Sequence, residues 1–316
     1  MARPCRLVLL RAKAWSEDAD NQKQNGNGGL GTMRWTALLM LLMSTAAQGG
    51  IRNYVAPIEG SLWELEQSSP LQCVLTHNIP RYGKAVFVSR ASKQLNLNFT
   101  LEMRRKPDVT TEAWVRSVAP AWRPGVPPRE IGELTYYRHF NGELPKQEAW
   151  LMLTELEQGM QPTFFYQDWY SPDQVAVGLS AANFGPSYRE FVNCLDTLLP
   201  FGYEDIAFSV LHYQEKDGEL TRESQRRVEQ IIQYLQLDPA VELVLTDTYT
   251  DSHRSRATNQ AITQQQAKTL KSYLVQAGID ESRIFATAHG EQRHIANNRT
   301  TQGRDLNRRV VVRVEY

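Results

Sequence analysis

Residues 241–267 read "VELVLTDTYTDSHRSRATNQAITQQQA". The stretch opens on an apolar run, Val241 to Leu245, that reads as a buried strand. Asp251 stands just past its end, followed by small polar residues and then a helical pattern. One carboxylate at a strand end, amides behind it, and the arginines of "NRRV" (307–310) further on pose a choice. The segment is either a pocket for a small charged ligand or a polar turn, because Asp commonly stabilises such a loop. No obvious nucleophile or metal set stands close by.

The flanks place this stretch inside a repeating pattern. "YEDIAFSVLHYQ" (203–214) is predicted as a strand with Ile206, Phe208, Val210 and His212 on one face, and a turn at Asp217-Gly218 follows. Thr221 is the expected N-cap of a helix, with Glu223 in its first turn near the positive dipole end. Val228, Ile231, Ile232 and Leu235 then recur at i, i+3, i+4 and i+7. After the strand at 241–249, a second helix is expected from about Asn259 to Ala277, with Ile262, Leu270, Leu274 and Ala277 inward and Gly278 at C′. "RIFATAHG" reads as a short strand; a loop and a final strand, "RRVVVRVEY", complete the order β-α-β-α-β-β. That order predicts an α/β sandwich at residues 201–316.

Residues 50–200 read differently. "KAVFVSRAS" (84–92), "LNLNFTLEMR" (95–104), "ELTYYRHF", "TFFYQDWY" and "QVAVGLS" are β-prone, and Leu95, Leu97, Phe99, Leu101 and Met103 alternate onto one face. Two helices interrupt them. "KQEAWLMLTELEQG" carries Trp150, Leu153 and Leu156, with Gly159 as its stop; "PSYREFVNCLDTLLP" carries Phe191, Leu195 and Leu198, ended by Pro200. Many short strands separated by Pro and Gly predict a β-rich barrel or sandwich, so the whole chain is α+β.

A chain of 316 residues suggests two domains. Formal net charge is zero, which argues against a nucleic-acid binder. "MRWTALLMLLMSTAAQGG" from Met33 has a basic start, an apolar core at 36–43 and small residues at 44–47, the layout of a secretory signal peptide, read here as residues 33–49. Residues 1–32, polar and Gly/Asn-rich, are read as a non-native upstream extension; a genuine disordered extension is the alternative. No later segment is apolar enough to span a bilayer. Removing residues 1–49 leaves Cys73 and Cys194, and two cysteines in an exported chain invite one disulfide, with two buried free thiols as the alternative. His289 and His294 lie five apart across a glycine turn, not at metal-ligand spacing, and no metal or cofactor is expected.

"TYTDS", Asn259 and the run "SYLVQAGIDESRIFATAHGEQRHIANNRTTQGRDLNRRVVV" (272–312) together resemble the C-terminal peptidoglycan-binding domain of the OmpA family. "AVFVSRASKQLNLNFTLEMRR", "PAWRPG", "PTFFYQDW" and "YEDIAFSVLHYQ" resemble the sodium-type flagellar motor proteins of the MotY family, whose cysteine positions and export signal also agree. The resemblance implies a periplasmic ring component of the flagellar basal body. Its N-terminal domain would meet the motor and partners such as a MotX-like protein and the stator B subunit, and its C-terminal domain would hold peptidoglycan. The alternative is an OmpA-like envelope stabiliser with no motor role. An enzyme acting on the wall would need paired carboxylates or a zinc set, and neither is found.

Peptidoglycan stems with diaminopimelate display an ammonium beside a carboxylate, so a binder needs an acid for one and an arginine for the other. By resemblance the acid is Asp251, Asn259 lines the same pocket, and Arg308 contributes to it. The polar reading of Asn259 competes with a plain N-cap role. Arg309 alternates away and is expected to be structural. At the helix position where the family usually carries arginine, this chain has Gln266. Arg254, Arg256 or Arg308 would have to supply the missing charge.

Overall fold

The computed structural model describes residues 50–214 and 218–316. The segments expected to be a signal peptide and an upstream extension lie outside the described residues, as does Asp217 of the expected turn. Gly49–Tyr316 form one compact unit.

The first half is built from two open five-stranded sheets. One contains β1 (Ile51–Val55), β6 (Thr111–Val118), β7 (Arg129–Tyr136), β9 (Gln161–Gln167) and β10 (Gln174–Gly178), in the order β1-β10-β9-β6-β7. The other contains β2 (Trp63–Ser68), β3 (Gln72–Ile79), β4 (Gly83–Arg90), β5 (Asn98–Met103) and β8 (Gly142–Leu144), in that order. Neither closes on itself, so the barrel form considered from the sequence is corrected. Only β1 pairs in parallel, with β10; every other pairing in these two sheets is antiparallel.

The alternation read in 95–104 is what brings the sheets together. Leu97, Phe99, Leu101 and Met103 are buried, while Leu95, which precedes β5, is half exposed. Phe99 stacks on Phe164 of the facing sheet, ring centroids 5.6 Å apart. Helix α1 (Lys146–Glu157) adds Ala149, Met152, Leu153 and Leu156 to this core, and α2 (Phe184–Leu195) adds Phe184, Phe191 and Cys194. Cys73 on β3 is joined to Cys194 in the last turn of α2, with Cα atoms 6.0 Å apart.

His77 on β3 is fully buried in the same core and lies flat against Trp63, centroids 4.4 Å apart. Its Nδ1–H donates to the Leu62 carbonyl oxygen at 2.8 Å, and its Nε2 is buried with no partner. Protonation would put an unpaired cationic N–H in an apolar core, so burial pushes the imidazole down to about 4. Between that value and the unfolded value of 6.5 the unfolded chain holds more protons than the folded one. Stability therefore rises with pH across this window and is lost as pH falls through it, by about 3 kcal/mol for a shift of this size. Urea titrations from pH 4 to pH 7 are expected to give that slope in the parent, and a flatter one in His77→Gln.

The second half has a separate hydrophobic cluster and one four-stranded sheet, β11-β14-β12-β13. Its strands are β11 (Phe208–His212), β12 (Leu243–Tyr249), β13 (Ile284–Ala288) and β14 (Arg309–Glu315). A one-turn helix, α3 (Tyr203–Ile206), precedes β11, and α4 (Arg222–Leu237), α5 (Arg256–Gln276) and α6 (Thr301–Asn307) follow. The buried stripes of α4 (Val228, Ile231, Leu235) and α5 (Leu270, Leu274) pack on Leu211, Val244, Ile284, Val310, Val312 and Val314. Thr221 caps α4 by accepting from Ser224 N, as expected, and Gly278 ends α5 with φ 90°.

Two expectations are corrected here. The run 203–214 is not one strand: Tyr203–Ile206 is helical, and Phe208 and Val210 face outward at 61% and 40% exposure while Ser209 and Leu211 point in. The loop expected before the last strand contains α6, so the order is β-α-β-α-β-α-β. Residues 301–307 carry no apolar stripe; Thr300 caps the helix by accepting from Gly303 N.

Candidate functional site

β12 runs out at Tyr249, and Thr250 N donates to the Gly290 carbonyl at 2.9 Å, which fixes where Asp251 emerges. The Asp251 side chain is buried, and its two oxygens have separate tasks. Oδ1 accepts from His253 N at 2.9 Å, the two-residue closure typical of an Asp turn. Oδ2 accepts from Arg308 Nη1 at 2.6 Å. The turn reading and the site reading are therefore both realised in one side chain.

Arg308 is delivered by α6. It forms the C-cap, its N–H donating to the Arg304 carbonyl at 3.0 Å, and its Nη2 pairs with Asp305. Its Nε is buried without an acceptor. Gly303 lets the preceding loop lie against α6, since a Cβ there would collide with the Asn297 carbonyl. Asn307 Oδ1 accepts from Ile295 N and Ala296 N at 2.8 and 3.0 Å and holds that loop in place. Arg309 points the other way, as alternation predicts. Its guanidinium lies 4.3 Å from the Tyr249 ring centroid and donates to the Arg293 carbonyl at 2.9 Å. Burial lowers its pKa.

α5 supplies the opposite wall. Its N-cap is Ser255, which accepts from Thr258 N at 3.2 Å, so the cap role considered for Asn259 is corrected. Asn259 sits inside the first turns, 1% exposed. Its Nδ2 donates to Glu291 Oε2 at 2.7 Å and to the Arg254 carbonyl at 3.1 Å, while its Oδ1 is buried with no donor. Gln266, two helical turns on, also has a buried Oε1 without a donor.

Asp251, Asn259, Gln266 and Arg308 line one cavity of about 400 Å³. Arg254 lines it too, and makes no ion pair among the described residues; Arg256 is not part of the lining. Tyr213, Thr250 and His253 also line it and were not singled out from the sequence. Only their adjacency to Asp251 or to the strand end marks two of them, and nothing local marks Tyr213. His289 is held by Asp247, Nε2 to Oδ1 at 2.9 Å, and is not part of this lining. Among the described residues no group of three His, Cys, Asp or Glu side chains is arranged to hold a metal ion.

One acid, two guanidinium groups and two amide oxygens without donors make a cavity suited to a small zwitterion. The acid can meet an ammonium, the guanidinium a carboxylate, and the amide oxygens further N–H groups.

Comparison with known proteins covers both halves. The MotY N-terminal domain model matches residues 54–200, and the OmpA family model matches residues 213–308. The sodium-type flagellar protein MotY of Vibrio parahaemolyticus is 41% identical over 276 residues, covering 87% of this chain and 94% of that protein. Outer membrane porin F of Pseudomonas fluorescens is 45% identical over 67 residues, 21% of each chain. Among solved structures, the peptidoglycan-associated lipoprotein from Burkholderia pseudomallei aligns at 20% identity and a TM-score of 0.31, covering 34% of this chain and 89% of that one. With this extent of identity to a full-length relative, the chain belongs to the MotY family of flagellar proteins.

Proposed function

We propose that this protein is a periplasmic component of the flagellar basal body that grips peptidoglycan through residues 201–316 and supports stator assembly through residues 50–200. It is a binding and structural part of the motor rather than an enzyme. Family membership supports the motor role. The observation that carries the wall role is the cavity in which Asp251 and Arg308 meet beside Asn259 and Gln266. Asp251 would take the ammonium of diaminopimelate. Arg254, the cation of the lining with no ion pair among the described residues, would take its carboxylate together with Arg308. A MotX-like protein and the stator B subunit are the partners expected on the other half.

Deleting the gene is expected to give cells with intact filaments that do not swim. Swimming at the normal rate, in a strain with no second copy, would remove the motor reading. Wall binding is checked by retention of the purified chain on sacculi. A charged hydrogen bond to a carboxylate exceeds a neutral one by about 1 to 2 kcal/mol, so Gln266→Arg is expected to raise retention about tenfold. Equal retention of parent and variant would count against a deficit at position 266.

A further inference from the structure

A second concentration of charge lies in the first half, away from the residues assigned to wall binding. Arg81 occupies the turn between β3 and β4, and Arg104 and Arg105 follow β5 directly. The three line one cleft of about 130 Å³ whose walls include Tyr82, Tyr166 and Trp169. Arg52 lines it as well, but is neutralised by Asp168 and Asp173, each at 2.8 Å. Among the described residues, Arg81, Arg104 and Arg105 have no carboxylate within salt-bridge reach. Asp168, the acid of the lining, is thus already engaged, and four guanidinium groups set against two carboxylates leave the cleft with a surplus of two positive charges. The Arg105 guanidinium carbon lies over the Tyr170 ring, 3.4 Å from its centroid. The indole N–H of Trp169 is buried with no acceptor.

The backbone adds an independent observation. Tyr82 N donates to the Ile79 carbonyl at 3.1 Å, closing a four-residue turn with Pro80 second and Arg81 third. Arg81 has φ 67°, the left-handed conformation that such a turn normally gives to glycine. A long cationic side chain is held where the fold alone favours none, and strain of this kind gathers at sites of use.

We propose that this cleft docks an acidic segment of a partner protein, seating one Asp or Glu side chain against Arg81, Arg104 and Arg105. Size selects the occupant: small-molecule sites usually span about 300 to 1,000 Å³, and this cleft admits little more than one side chain. Charge selects its sign, since guanidinium groups bind carboxylates bidentately. Arg, Tyr and Trp are also the residues on which protein interfaces concentrate their affinity. The inference deepens the reading that partner proteins meet the first half, on which it rests, and does not depend on the cavity at Asp251.

The test uses the full oxidised chain and a fluorescein-labelled glutamate-rich peptide, followed by fluorescence anisotropy at low salt. The parent is expected to bind it and to ignore the glutamine counterpart. Arg104→Glu with Arg105→Glu is expected to weaken binding at least about tenfold. Arg81→Gly should weaken it as well while melting no lower than the parent, because glycine adopts the left-handed backbone freely. All variants should keep parental retention on sacculi, which separates this result from the wall reading. Equal peptide binding by parent and variants, or equal binding of the glutamine peptide, overturns the proposal. Tighter binding to phosphatidylglycerol vesicles than to the peptide overturns it too, by identifying a lipid surface instead.

Discussion

Replacing Cys73 and Cys194 together by alanine is expected to lower the stability of the first half by about 4 to 5 kcal/mol, the chain-entropy value for a loop of about 120 residues. The two cysteines are separated by 121 positions, and the intervening chain contributes β4 to β10 and α1. Both side chains are buried, at 0% and 3% exposure, so alanine is chosen over serine to avoid stranding a hydroxyl in the core. A loss of this size is a large part of the 5 to 15 kcal/mol that typically holds a domain. The expected result in urea is a midpoint well below that of the oxidised parent, with the transition of the second half displaced less. A midpoint matching the parent would mean that the bridge constrains little of the unfolded chain. Reductant should act on the parent in the same direction and leave the alanine variant unmoved.

Asp251→Asn is expected to lower retention on sacculi between about tenfold and a hundredfold, the worth of a hydrogen bond to a charged group. The amide keeps the size of the side chain and its bond from His253 N, but no longer offers a charge to an ammonium. The change also takes a partner from Arg308, whose side chain is 12% exposed and would then rely on Asp305, itself 54% exposed. Truncating one side of a buried pair typically costs about 3 kcal/mol or more. A lower melting temperature is therefore expected alongside the lost binding, and retention must be measured well below it. Free diaminopimelate separates the two effects, since a ligand that binds only the folded chain raises its melting temperature. It should do so for the parent and not for the variant. Undiminished retention by Asp251→Asn would remove Asp251 from the site.

What was legible in the sequence was local. Asp251 stood out only through the family motif around it, since an Asp just past a strand commonly does no more than stabilise a turn. Thr221, Gly159 and Gly278 mark helix ends by chemistry that does not depend on the rest of the fold. Asn259 was harder. Asn and Ser are both strong caps, and only the closed geometry shows that Ser255 takes the role and leaves Asn259 inside the helix. Phe208 and Val210 misled for a different reason. Alternation separates two faces of a strand but does not say which one the helices will cover, and here they cover Ser209 and Leu211. The parallel pairing of β1 with β10 joins Ile51 to Gln174, a contact no short window contains. The open sheets follow from many such distant pairings, which is why barrel and sandwich stayed equivalent until the strands could be ordered.

The contact between Asp251 and Arg308 also bears on how the wall would be held in changing surroundings. Before any guest arrives Asp251 and Arg308 already cancel one another, a zwitterionic guest brings no charge in excess, and Arg254 alone of the charged lining meets it without an ion pair among the described residues. Docking then transfers no net charge and releases few counterions, so dissolved salt has little to screen. Grip on the murein should stay nearly constant as the medium outside the cell is diluted or concentrated, a useful property in a tether that must resist torque while its bathing fluid varies.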